Sequence, residues 1–271
     1  MTKTIFLLLA LAQGVFHTLC AQRFFNGKRE MGVFLGGANY HGDLAPEIVW
    51  RNTGAAFGPF FRYNFNPYVS YRVQASYGNI QASDSNYAPQ SSRNLSFKSD
   101  ILEASQTFEF NFHRFGVNVL DKNFSPYLSL GLSFFYFNPK ADYGVGSQNL
   151  RNHHTEGQKR SYSTLQMAVP VGMGIKYSLH RNWVFGVEAV WRKTFTDYLD
   201  DVKGSYPDFK QHKDQYGDLS ANLSHRETEK GLGPFRGGTQ RGEQSLKDWY
   251  FFLGFTLSYR FTPVICRLNN G

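Results

Sequence analysis

The sequence predicts an all-β fold, an eight-stranded antiparallel transmembrane β-barrel with long extracellular loops. Three observations predict it. Apolar and aromatic residues alternate with small or polar ones along eight stretches of the chain, a period of two that marks strands rather than helices. Most of those stretches run ten residues or more, matching the ~9–11 tilted residues that cross a bilayer, whereas typical strands have about 5–6. The connections alternate between short and long, as they do where turns lie on one side of a membrane and loops on the other.

The clearest stripe is "DWYFFLGFTLSYRF" at 248–261. Trp249, Phe251, Leu253, Phe255, Leu257, Tyr259 and Phe261 share one face, with Gly254, Thr256, Ser258 and Arg260 between them. This is the eighth strand. The first, about 30–40, is weaker and glycine-rich. The second, about 54–65, places Phe57, Phe61 and Tyr63 on one face, and the third, about 68–80, Val69, Tyr71, Val73 and Tyr77. The fourth, about 100–113, carries Leu102, Phe108, Phe110 and Phe112, and the fifth, about 126–137, Leu128, Leu130, Leu132, Phe134 and Tyr136. The sixth, about 163–178, runs from Leu165 to Tyr177, and the seventh, about 182–196, from Trp183 to Phe195. Short connections fall at 66–67, 114–124 and 179–182, long ones at 41–53, 81–99, 138–161 and 197–247.

Aromatic residues end several stripes, Trp249 and Phe261 or Trp183 and Phe195, as in the girdles at the two membrane surfaces. The apolar face is therefore read as the lipid face. Gln106 and Lys193 fall on it against the pattern; Lys193 lies near a strand end, within reach of headgroups. The opposite face collects Arg62, Arg72, Lys176, Arg192 and Arg260 with Glu103, Glu109 and Glu188. An eight-stranded barrel is only wide enough inside for side chains. These charges are expected to pair and plug the lumen, leaving no open pore.

Composition agrees. The chain of 271 residues holds 26 Phe, 16 Tyr and 26 Gly. No stretch after residue 21 approaches the ~20 apolar residues of a membrane helix. The net charge of +8 is scattered rather than clustered, which argues against a nucleic-acid partner. At the N-terminus Lys3 precedes the apolar core "IFLLLALA", and "LCA" ends at Ala21 before Gln22. This reads as a cleaved secretory signal. The expected domains are a signal peptide at 1–21, the barrel at 22–261 with its long loop 197–247, and a periplasmic tail at 262–271. Leu19 before Cys20 does not suit a lipidated cysteine, and Cys266, alone in the mature chain, makes no internal disulfide.

Signals for catalysis or a cofactor are missing. His153 and His154, in "RNHHTEGQKR", read as a solvated loop, since adjacent residues of an extended chain point apart. "GLGPFRGG" at 231–238 follows no strand–helix pattern and is no phosphate cradle. Glu103 and Glu109, six strand residues apart, are separated by roughly 20 Å. Asp197, Asp200 and Asp201, in "FTDYLDDVKGSY", form a weak Ca²⁺ candidate; capping a turn or pairing with basic loop residues are the alternatives. Loop 197–247 is too long for a passive hairpin and is expected to fold over or into the barrel mouth.

Three motifs, "GGANYHGDL" (36–44), "FTDYLDDV" (195–202) and "GTQRGEQSLKDWYFFLGFTLSYRF" (238–261), together resemble the PorG family. That family comprises outer-membrane β-barrels of Bacteroidetes tied to the type IX secretion system. The resemblance implies a non-enzymatic, structural role in that machinery, with both termini in the periplasm. Its implied partners are outer-membrane lipid and the machine's periplasmic ring, built from a lipoprotein and its partner. The ring would meet the short turns, at Asn66, Pro67, His180 and Arg181, and the tail with Cys266. Three other readings compete. A lipid-modifying enzyme of the outer membrane needs a Ser–His arrangement at the rim. A secreted soluble barrel would turn its apolar face inward around a ligand. A small barrel of unrelated envelope or adhesion role needs neither.

Overall fold

The computed structural model describes residues 29–47, 50–116, 121–144, 146–180, 182–243 and 247–261. The expected signal segment 1–21, Arg181 and the tail with Cys266 lie outside these residues.

Alternation becomes a closed sheet. The strands are β1 (Arg29–His41), β2 (Thr53–Asn64), β3 (Val69–Ser83), β4 (Ser96–Asn111), β5 (Phe124–Tyr143), β6 (Gly146–Asn149), β7 (Leu165–Ser178), β8 (Trp183–Thr194) and β9 (Trp249–Phe261). Each barrel strand pairs antiparallel with its neighbours, β9 pairs back onto β1, and β4 pairs with β5. Eight strands thus form a ring in which every edge is satisfied, the condition for backbone in hydrocarbon. The four-residue β6 lies outside the ring and extends β5 beyond the end of β7. Sequence alternation did not reveal it, because four polar or glycine residues carry no period.

Side chains sort by parity. Leu35, Leu102, Phe108, Leu130, Met173 and Phe255 point outward and are exposed; Arg62, Glu109, Lys176 and Arg260 point inward and are buried. A girdle of exposed apolar residues around a whole barrel far exceeds the few hundred Å² that monomeric soluble proteins leave open. Hydrocarbon is the medium that satisfies it. No helix among the described residues is long and apolar enough to cross a membrane.

Both exceptions on the outer face keep the expected register. Gln106 does face outward, and the Tyr71 hydroxyl of the neighbouring strand donates to its Oε1 at 2.8 Å. Two polar groups in the belt thus satisfy each other. The Lys193 ammonium lies 5.5 Å from the Trp249 ring, near the strand end.

One end of the barrel carries the turns 65–68, 112–123 and 179–182, and the other carries the long connections. At the turn end the Asn66 carboxamide accepts from the backbone N–H of Tyr68 and Val69, at 2.8 and 2.9 Å. The Pro67 carbonyl accepts from Phe115 N–H at 3.1 Å and from the Asn111 side chain at 3.2 Å. His180 shapes the third turn, its carbonyl accepting from Trp183 N–H at 3.2 Å.

At the other end the connection between β8 and β9 folds over the mouth, as expected. It contains two short helices that the sequence reading missed, α1 (Phe209–Tyr216) and α2 (Asp218–Ser224). Each is two turns, too short to establish a 3.6-residue period. Asp208 caps α1 by accepting from Gln211 N–H at 2.9 Å.

Leu253 lies on the lipid face of β9. Leu253→Arg is expected to cost about 2–4 kcal/mol if the position is near the midplane. Urea titration of folding into vesicles checks this; an unchanged midpoint contradicts the outward assignment.

Candidate functional site

The lumen is filled by paired charge. Nearest the turn end, Glu30 binds Arg62 at 2.7 Å and Arg260 at 2.9 Å, and accepts from Asn64 at 2.9 Å and Ser258 at 3.2 Å. Glu109 holds Lys176 at 2.6 Å and Arg62 at 2.7 Å, with Arg72 at 3.6 Å. Arg72 grips Glu188 with both terminal nitrogens, at 2.6 and 3.0 Å, and the Tyr127 hydroxyl donates to Glu188 at 2.5 Å. Higher up, Arg192 forks onto Glu103 at 3.1 Å through Nε and Nη2, and Tyr250 donates to the same carboxylate at 2.5 Å.

Aromatic faces complete the packing. Arg72 and Arg62 lie over Phe60 at 4.1 and 4.9 Å, Arg192 over Phe252 at 4.0 Å, and Arg260 over Phe115 at 5.0 Å. Phe115 comes from the turn between β4 and β5 and closes that end. All eight sequence-predicted lumen charges, Arg62, Arg72, Glu103, Glu109, Lys176, Glu188, Arg192 and Arg260, are buried together. The reading missed Glu30, a fourth carboxylate and the partner of two arginines. Its signal was parity: Glu30, Phe34, Ala38 and Tyr40 share the inward face of β1.

Above this network the three sequence motifs converge. Tyr40 closes the inward face of β1. Its hydroxyl is 2.7 Å from Asp200 Oδ2 and 2.7 Å from Asp248 Oδ1. A phenol has one proton to give, so it donates to one carboxyl and accepts from the other, which must be protonated. Asp248 Oδ2 accepts from Leu199 N–H and Asp200 Oδ1 from Val202 N–H, both at 2.9 Å. Gly42 explains its own place in the first motif. A Cβ there would lie 2.1 Å from the Tyr40 hydroxyl and 2.3 Å from Asp248 Oδ1.

Around this centre the loops lock together. Asp201 accepts from Tyr162 at 2.7 Å and also from the Thr155 hydroxyl, and Arg241 donates to its carbonyl at 2.7 Å. Arg241 also meets Glu156 at 3.2 Å. Asp43 accepts from Glu243 N–H at 2.9 Å. Arg93 ties three connections together: it forks onto Asp84, and donates to the Asp43 carbonyl at 3.1 Å and the Arg241 carbonyl at 2.6 Å.

Asp197, Asp200 and Asp201 therefore serve separate partners. Asp197 meets Lys247 at 3.5 Å, Asp200 meets Tyr40, and Asp201 meets Thr155 and Tyr162. Among the described residues no group of three His, Cys, Asp or Glu is placed to hold a metal. Proximity in sequence suggested Ca²⁺; the backbone turns each carboxylate into a different packing environment. The histidine pair is likewise no simple solvated loop. His153 meets the Ser220 hydroxyl at 3.0 Å, and His154 stacks on Tyr216 with ring centres 4.8 Å apart.

Burial dominates the titration of this cap. It pushes the Asp43 and Asp201 carboxyls up to about 6. It pushes Asp200 and Asp248 well above the carboxylate range, and the negative charge of Asp248 raises Asp200 further.

A closed barrel with an apolar exterior, a lumen of paired charge and one capped mouth defines a β-barrel membrane protein of the outer-membrane type. The chain belongs to the family described as Domain of unknown function (DUF6089), which matches residues 9–225. No curated protein matches it. Solved structures that resemble it include Ail, the attachment invasion locus protein of Yersinia pestis, at 12% identity, covering 88% of this chain and 100% of that one with a TM-score of 0.42. The outer membrane protein OprG of Pseudomonas aeruginosa gives 12%, 88%, 98% and 0.45, and the outer membrane enzyme PagL 10%, 86%, 99% and 0.32, in the same order.

Two predictions follow from these clusters. Glu109→Gln removes the carboxylate shared by Arg62, Lys176 and Arg72, and breaking a buried pair costs about 3–5 kcal/mol; the folding free energy of the variant in vesicles tests it. The cap carboxyls are raised above their unfolded value of about 3.9, so the stability they contribute is full below that value and is lost as pH rises through about 6 and beyond. Hydrogen-exchange protection of 195–243, corrected for intrinsic rates, is expected to fall as pH rises from about 4 through about 6. Asp200→Asn, which mimics the protonated carboxyl, should flatten that fall.

Proposed function

We propose that this protein is a non-enzymatic outer-membrane subunit of the type IX secretion machinery. In this reading the capped end faces outward, and the turn end and both termini face the periplasm. The observation that carries a structural role is the lumen. Its cations and carboxylates are paired and packed against aromatic faces, a filling that leaves the protein to act through its two ends.

The resemblance of the three motifs to PorG supports the assignment to secretion. Those motifs meet at a single point, the centre formed by Tyr40, Asp200 and Asp248, so they describe one rigid cap. At the turn end, Asn66, Pro67 and His180 sit in hydrogen-bonded turns. That firm surface suits docking onto a periplasmic ring of a lipoprotein and its partner.

Deletion of the gene should stop export of proteins that carry the type IX C-terminal signal, and re-expression of the wild-type chain should restore it. The protein purified in mild detergent should bring the ring lipoprotein and its partner with it. Unchanged export in the deletion strain overturns the assignment.

A further inference from the structure

Phe251 stands on the lipid face of β9 by parity, yet it is 6% exposed, whereas Leu253, Phe255 and Leu257 below it are open. Pro46 and Glu47 of the connection after β1 line a groove together with it. Ala45 and Gly42 bridge each other at 3.1 Å, and the Tyr87 hydroxyl donates to the Glu47 carbonyl at 2.5 Å, so this stretch forms a fastened flap. Between this flap and the wall runs a groove of about 610 Å³, lined by His41, Pro46, Glu47, Trp191, Trp249 and Phe251, within the range of small-molecule sites.

The register of three strands fixes what the groove offers. Asn39, Phe251 and Trp191 are paired in one row across β1, β9 and β8, and His41, Trp249 and Lys193 in the next row up. Trp191 and Phe251 stack with ring centres 6.3 Å apart and form an apolar floor. The row below, Gly37, Leu253 and Ala189, has small residues on both sides of Leu253, so the floor continues into the belt. The upper row is at the aromatic rim, the level of lipid headgroups. There the Lys193 ammonium sits above the Trp249 ring and supplies the positive charge at this level.

We propose that this groove binds one lipid of the surrounding leaflet, with an acyl chain along Trp191 and Phe251 and an anionic headgroup phosphate on Lys193. The site goes beyond a role in secretion, and it rests only on the barrel being embedded in lipid. A chain entering sideways from the bilayer meets the open lower end of the groove, and the charge-assisted contact to phosphate gives it an orientation.

The test uses the purified protein in detergent, titrated with phosphatidylglycerol or phosphatidylcholine and read by native mass spectrometry. The wild type should retain one phosphatidylglycerol in preference to phosphatidylcholine. Lys193→Gln should weaken that retention about tenfold, the size of one charge-assisted contact. Trp191→Ala should also weaken it, while Leu257→Ala, on the belt away from the groove, should not. Heat-dependent gel mobility confirms that each variant is folded. If Trp191→Ala does not fold, quenching of tryptophan fluorescence by brominated phosphatidylglycerol in nanodiscs compares the wild type with Lys193→Gln instead. Equal retention or quenching in wild type and Lys193→Gln overturns the site, and so does retention without preference for the anionic headgroup. A wild type that fails to enter nanodiscs overturns the membrane reading itself, an outcome distinct from entry without retention.

Discussion

With hydrocarbon outside and a lumen only one layer of side chains wide, each cation that points inward needs a carboxylate within reach. The rest of the structure is arranged around this constraint. Glu30, Glu103, Glu109 and Glu188 come from three different strands, and Arg62, Arg72, Lys176, Arg192 and Arg260 from five. Arg62–Glu30, Arg72–Glu109 and Arg260–Glu30 tie neighbouring strands, whereas Arg62–Glu109, Arg72–Glu188, Lys176–Glu109 and Arg192–Glu103 join strands that are not neighbours, so the pairing depends on the register of the whole ring. A slip of one residue on any strand would turn its charges into lipid and its aromatics inward. Phe60, Phe252 and Phe115 support the guanidinium planes. The network thus acts as filler as well as charge.

The cap depends on a different economy of charge. Its acidic residues are neutralised partly by cations and partly by protons. Arg93 and Arg241 supply positive charge to the periphery, whereas Tyr40 binds two carboxyls that cannot both be ionised. The mouth is sealed by a hydrogen bond that includes a titratable proton, and the barrel below by ion pairs of fixed charge. The two halves respond to different conditions: one to pH, the other to loss of a partner.

Much of the barrel was legible because strand parity is a strong signal. Leu128 to Tyr136 and Trp249 to Phe261 predicted their faces, and the inward charges followed from the same count. Gln106 breaks the apolar pattern yet keeps the register, because its partner Tyr71 is on the adjacent strand, a contact that sequence spacing cannot show. Glu30 was overlooked because β1 is rich in glycine, which blurs the alternation at Gly32, Gly36 and Gly37. The cap was less legible for a physical reason. Tyr40, Asp200 and Asp248 are more than 150 residues apart along the chain in part, and each motif alone looks like an ordinary loop. Their chemistry exists only where the ends of β1, β8 and β9 are neighbours.

Glu30 also has a place in time. It lies at the second residue of the first strand and binds Arg260, the penultimate residue of the last. As long as the sheet is an open ribbon, those two strands are its free edges and Arg260 lacks this counter-charge. Zipping the seam is what discharges it. An insertion intermediate would thus carry an electrostatic debt that only the completed ring can settle, which gives the circle a reason to close onto its own beginning rather than onto a neighbouring chain.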